Sequence, residues 1–242
     1  MLITSLDNDR IKSYIKLKDR KYRKKTKTFI VEGMHLVLEA YKSGNLIELI
    51  LEKDEVLPID VPTIYVTNEI INKISSLDNP SKVMGLCKMN DNKEVTGNKI
   101  LLLDGVQDPG NLGTIIRSSV AFNISDIILS TNSVDLYNDK VIRSSEGMIY
   151  KINIIRTDLI KVIKKLKENN YLILGTNVRN GVDVKEVNSS RFALIMGNEG
   201  KGVKEEILNL CDKNLYIKMN KNCESLNLGV ATGILLYELG AK

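Results

Sequence analysis

ILLLDGVQDPGNLGTIIRSSVAFNISDIILS, residues 100–130, decides how the larger part of this chain folds. It opens and closes on apolar runs, ILLLD (100–104) and DIILS (126–130), neither of which alternates with polar residues. Such runs predict strands of a parallel sheet covered on both faces. Between them Asp108-Pro109-Gly110-Asn111 reads as a turn, Pro fixing φ and Gly relaxing it. A helix is expected over 112–122. Similar runs recur at KINII (151–155), YLILGT (171–176), FALIMG (192–197) and NLYIKM (214–219). Helical stretches are expected near 138–147, 158–169, 203–211 and 227–239. The alternation predicts an α/β domain over 98–242. Ligands of such sheets bind beyond the carboxyl ends of the strands, which directs attention to the loops 104–111, 176–182, 197–202 and 219–226.

Upstream, the polar stretch DNKEVTGNK (91–99) reads as a linker. Before it lies a second, smaller α/β domain over 1–92. Its expected strands are FIVEG (29–33), IELILE (47–52), TIYV (63–66) and KVMGLCKM (82–89). Helices are expected near 10–20, 33–43 and 68–75, with KYRKKTK (21–27) as a loop.

The chain has 242 residues and a formal charge of +5. Its apolar fraction of 43% excludes disorder, and no apolar run reaches the roughly 18 residues of a membrane span. No signal-peptide pattern opens it, so a cytoplasmic location is expected. Cys87, Cys211 and Cys223 are too scattered for a disulfide framework or a zinc site, and no metal is expected. The charge is uneven. Residues 1–30 hold ten bases and three acids, +7, whereas the other 212 residues sum to −2. That contrast marks an electrostatic footprint for a polyanion, with Lys21, Arg23, Lys24 and Lys25 at its centre.

Three loops are candidates for chemistry, each with a plain structural alternative. In the first, Asn111 opens a helix whose single cation is Arg117, which an acidic neighbour at the helix edge would also explain. In the second, MGNEGKGV (196–203), the glycines are spaced GxxGxG. That is neither the dinucleotide fingerprint nor the phosphate loop. A tight turn would account for the glycines but has no need of Glu199. In the third, Ser225 and Asn227 precede an apolar helix and would each serve as an N-cap. The only histidine, His35, lies in the first domain, where a satisfied structural role is expected. A Ser-His-Asp hydrolase in the second domain is thereby excluded. Cys223 has no histidine beside it in sequence to activate a thiol.

Taken in order, the three segments closely resemble the three motifs of the SpoU (TrmH) family of RNA 2′-O-ribose methyltransferases. NLGTIIRSSVAFN resembles the first, with Asn111, Gly113 and Arg117. ALIMGNEGKGV resembles the second, with Gly197, Glu199 and Gly200. IKMNKNCESLNLGVATGILLYE resembles the third, with Ile217, Met219, Ser225, Leu226 and Asn227. FIVEGMHLVLEAYKSGNLIELIL is similar to the small substrate-binding domain that precedes the catalytic domain in rRNA-directed members. Lys218, Lys221 and Asn123 depart from the usual Pro, Gly and Gly of those motifs.

The resemblance implies a parallel-sheet domain closed by a deep trefoil knot, an obligate homodimer, and S-adenosylmethionine as cofactor. The cofactor would lie against Thr176, Gly197, Ile217, Met219 and Leu226. The implied reaction is methyl transfer to a ribose 2′-hydroxyl of structured RNA, rRNA before tRNA, with no DNA or membrane partner. Arg117, Asn111, Glu199, Ser225 and Asn227 are the implied catalytic set. Attack by a hydroxyl on a sulfonium methyl demands positioning and removal of one proton. A guanidinium keeps its proton, so Arg117 is expected to bind phosphate and steady the developing alkoxide. A non-catalytic RNA-binding dimer is the rival reading, and a dinucleotide enzyme a weaker one.

Overall fold

The computed structural model describes residues 2–91, 94–177 and 181–240. Positions 92–93 of the expected linker and 178–180 of the loop 176–182 lie outside them. The chain divides into two compact units. The first runs to Asp91 and also takes in Tyr137–Tyr150; the second is the remainder.

The first unit begins with β1 (Leu2–Ile3), α1 (Asp9–Lys16) and α2 (Arg20–Thr26). It continues through β2 (Thr28–Glu32), α3 (Met34–Lys42), β3 (Leu46–Glu52), β4 (Thr63–Val66), α4 (Asn68–Ile74) and β5 (Val83–Lys88). Its five strands lie in the order β1-β4-β3-β5-β2. The β1/β4 and β3/β4 pairs are parallel, and β5 runs antiparallel to β3 and β2. The heart of the unit is Ile11, Ile50, Ile70 and Met84, none of them exposed. β1 is too short to be read from its sequence.

The segment expected as a loop, KYRKKTK, is helical instead. Asp19 caps α2 by accepting the backbone N–H of Lys21 and Tyr22, and Lys and Arg are good helix formers. The helix was hidden because it carries no apolar stripe. Lys27 ends it in the left-handed region, at φ 57°.

The second unit is built on β6 (Lys99–Leu103), α5 (Pro109–Ala121) and β7 (Asp126–Leu129). The chain then forms α6 (Asp139–Ser144) within residues 137–150, which pack with the first unit rather than with the 98–242 span in which sequence placed them. There the Tyr137 ring packs on Phe29 at 4.8 Å, and its hydroxyl accepts the N–H of Asn90. The Asn90 side chain donates to the Ile149 carbonyl. Gly147, at φ 78°, lies so close to Glu39 that an added Cβ would sit 2.7 Å from the glutamate's own.

The chain returns to the second unit with β8 (Asn153–Arg156), α7 (Leu159–Glu168), β9 (Leu172–Thr176), β10 (Val182–Asp183) and β11 (Phe192–Met196). It ends with α8 (Glu205–Leu208), β12 (Lys213–Tyr216) and α9 (Leu228–Gly240). The seven strands are all parallel, in the order β10-β12-β9-β11-β6-β7-β8. Ile100, Leu102, Ile128, Ile173, Ala193 and Ile195 are fully buried beneath α7 and α8, as uninterrupted apolar strands require. The expected strand 214–219 stops at Tyr216 and the expected helix 203–211 shrinks to four residues. Ile217 and Met219 are thereby released from the ladder into the loop region.

Candidate active site

The site is assembled where β6, β9, β11 and β12 end. α5 starts there because Asp108 caps it, its carboxylate accepting the Asn111 N–H at 2.7 Å, with Pro109 in the first turn. Asn111 is thus fixed on the first turn, 9% exposed. Its side-chain amide donates to Glu199 Oε1 at 3.1 Å, and its carbonyl oxygen accepts from Asn227 Nδ2 at 2.9 Å. Asn227 Oδ1 in turn caps α9, accepting the N–H of Gly229 and Val230. One asparagine therefore joins all three motif loops.

Glu199 is held at the tip of the loop 197–204. Its carboxylate also accepts the backbone N–H of Gln107 and Asp108, at 3.2 and 3.1 Å. Partial burial pushes this carboxyl upward. The Asn111 amide and the N–H groups of Glu199, Asp108 and Gln107 outweigh it and hold the group below the ordinary range. An acceptor so fully engaged is a poor proton acceptor, so Glu199 is a brace rather than a base.

The same loop depends on Gly197. A Cβ there would lie 2.1 Å from the Gly202 carbonyl carbon and the Val203 nitrogen. The close approach lets Asn198 and Gly202 exchange two backbone hydrogen bonds of 2.9 Å. Two further ties were not recognised from sequence. Asn198 donates to the Gly105 carbonyl at 2.7 Å and accepts the N–H of Gly200 and Lys201. Its position before Glu199 in a glycine-rich turn was a usable signal. Asp104, 2% exposed, accepts the Lys204 N–H at 3.1 Å, with the Lys204 ammonium 3.4 Å from its other oxygen. A carboxylate at the end of an apolar strand was the corresponding sign.

These loops enclose a cleft of about 720 Å³. Asn111, Glu199, Ser225 and Asn227 line it, and so do Thr176, Gly197, Ile217, Met219 and Leu226. Thr176 is oriented by donating to the Ile195 carbonyl at 2.9 Å. Arg117 is the exception among the sequence candidates. It is exposed on α5, away from the cleft lining, and makes no hydrogen bond or ion pair among the described residues. Ser225 is exposed at the cleft, and the capping role open to both residues falls to Asn227. Cys223 is exposed, its thiol donating to the Ser225 carbonyl at 3.3 Å.

In the first unit, Lys21, Lys24 and Lys25 are exposed. Arg23, grouped with them from sequence, is buried, and its guanidinium donates to the carbonyls of Leu17 and Lys18 at 2.7 and 2.8 Å. It closes the end of α1. His35, for which a satisfied structural role is expected, is exposed on α3 with its Nε2 3.6 Å from a Glu146 carboxylate oxygen. Among the described residues no group of His, Cys, Asp and Glu could hold a metal ion, and no helix is long and apolar enough to cross a membrane.

The chain is similar to known proteins in sequence and fold. The model of the SpoU rRNA methylase family matches residues 98–237, and that of the MRM3-like substrate binding domain matches 8–85. A Bacillus subtilis protein named 23S rRNA (guanosine(2553)-2′-O)-methyltransferase RlmP is 38% identical, over 98% of each chain. A putative TrmH family tRNA/rRNA methyltransferase of Staphylococcus saprophyticus is 29% identical, over 88% of this chain and 95% of its own. Among solved structures, the AdoMet-bound rRNA methyltransferase of Sinorhizobium meliloti superposes with a TM-score of 0.87 at 29% identity, covering 98% of this chain and 96% of that one.

Proposed function

Since the chain belongs to the SpoU rRNA methylase family, we propose that it methylates a ribose 2′-hydroxyl of 23S rRNA. S-adenosylmethionine is the methyl donor. The observation that carries this reading is the Asn111 junction, which braces three separate loops around one cleft. A cleft of about 720 Å³ falls within the range typical of small-molecule sites. When bound, the cofactor supplies an electrophilic methyl group. Thr176, Gly197, Ile217, Met219 and Leu226 hold it, and the Glu199 brace keeps their loops in register. Arg117 binds the phosphate beside the target ribose and steadies the charge that grows on its oxygen.

Arg117 reaches that place through a homodimer. α9 is apolar nearly all round, yet Val230, Ile234 and Tyr237 are 51%, 38% and 58% exposed at helical spacing. Such a helix calls for a covering surface. It packs tightly on α5, with Thr114 about 3.1 Å from where a Gly229 Cβ would stand, and Tyr237 meets Phe122 edge-on. A second copy seated on this face brings Arg117 beside its cleft. The insertion of β12 between β9 and β10, with family membership, supports the trefoil knot. The first unit and its exposed lysines supply the grip on RNA. An rRNA substrate favours a cytoplasmic location.

Mapping 2′-O-methyl positions in total RNA from a deletion strain against its parent tests the reading. One lost mark in 23S rRNA is expected, with the guanosine named for the Bacillus relative the first position to inspect. An rRNA profile that does not change overturns it, and a mark lost from tRNA instead reassigns the substrate.

A further inference from the structure

Only three charged side chains line the cleft among the described residues, Glu199, Lys201 and Glu224. Glu199 is committed to the Asn111 amide and two backbone N–H groups. The other two are uncommitted. Lys201 and Glu224 are exposed, and neither side chain has a hydrogen bond or ion pair among the described residues. Their backbones, however, are set. The Lys201 N–H donates to Asn198 Oδ1 at 3.1 Å, and Glu224 follows a turn in which the Cys223 N–H donates to the Asn220 carbonyl at 2.9 Å. Each stands on a different loop, one after β11 and one after β12. The cleft thus presents one cation and one anion on fixed stems.

That pairing discriminates between ligands. A polyanion would use the lysine but be repelled by the glutamate. The adenosine part of the cofactor is uncharged and would use neither. The methionyl end carries one carboxylate and one ammonium, and is complementary to both. We infer that Lys201 and Glu224 read the amino-acid end of the cofactor, Lys201 its carboxylate and Glu224 its ammonium. The inference rests on the proposal that this cleft is the cofactor site.

Calorimetry on the full-length protein with two thioether probes, neither of which can donate a methyl group, tests it without turnover. S-adenosylhomocysteine keeps the amino-acid end, and 5′-methylthioadenosine lacks it. Lys201→Met and Glu224→Gln are each expected to weaken S-adenosylhomocysteine binding about tenfold, the loss of one charge-assisted contact. Binding of 5′-methylthioadenosine should stay as in the wild type. Variants that bind both probes like the wild type overturn the inference, and so does an equal loss for both, which marks a distorted cleft. A loss confined to RNA affinity overturns it by assigning Lys201 to phosphate. A wild-type protein that binds neither probe removes the cofactor site itself, a result separable from failure of the charge assignment.

Discussion

Under the proposed function, Glu199 serves the reaction by bracing loops rather than by taking a proton. Its carboxylate gathers an amide and backbone N–H groups from the loop that opens α5. Replacing it by Gln sets a donor against donors, and the loop 197–204 loses its anchor. For Glu199→Gln we expect cofactor affinity to fall at least about tenfold, measured by calorimetry, with thermal stability lowered only slightly. The pH dependence follows from a carboxyl held below its reference value of 4.5. The stabilisation is complete above that value and is lost as pH falls through the lower, folded one. Hydrogen-exchange protection factors of residues 197–204, taken relative to the intrinsic rate at each pH, should therefore be constant from neutral pH into the mildly acidic range and fall below it; a fall beginning near neutrality contradicts the assignment. Arg117 makes the opposite case, a side chain with no hydrogen bond or ion pair among the described residues. Arg117→Lys keeps the charge but loses the planar fork. It should cut kcat at least about tenfold while leaving cofactor binding intact, and methylation at the wild-type rate removes the role given to it.

At the scale of elements, caps place the residues that line the cleft. Asp108 holds the first turn of α5 and, through it, Asn111. Asp108→Ala should cost about 1 kcal/mol in denaturant unfolding, with a larger proportional loss of cofactor affinity because the junction shifts with the helix end. The exposed α9 stripe makes a second prediction. Ile234→Glu should convert a dimer to a monomer in light scattering, leaving the circular dichroism spectrum unchanged; a wild-type monomer overturns the dimer. The strands of the larger sheet were legible because apolar runs such as FALIMG announce two-sided burial. The site was legible as three motifs, although their convergence on Asn111 was not. Hydrogen bonds between residues 88 and 116 positions apart leave no periodic trace. α2 is not legible in the sequence because its cap and its propensity carry it without an apolar face, and the burial of Arg23 is hidden in the same run of bases. A burial that serves carbonyls looks like surface charge in a string of bases.

For the whole molecule, the +7 of the first 30 residues is the proposed handle on RNA, and its exposed lysines are the side chains to test. Neutralising Lys21, Lys24 and Lys25 together should weaken RNA binding and flatten its log–log salt dependence by about 2 to 3 units if each meets a phosphate, while S-adenosylhomocysteine binding is unaltered. Equal loss of both would make the segment structural. A further consequence belongs to residues 137–150, which complete the first unit. Protein synthesis proceeds from the amino end, at about 5 to 20 residues per second. After Asp91 has been added, roughly 3 to 12 s pass before Tyr150 is joined. Throughout that interval Phe29 lacks the rings of Tyr137 and Tyr150 that pack against it. The amino-terminal module is therefore made first and finished second, and a nascent chain stalled between those points should be cut by protease where the completed protein is not.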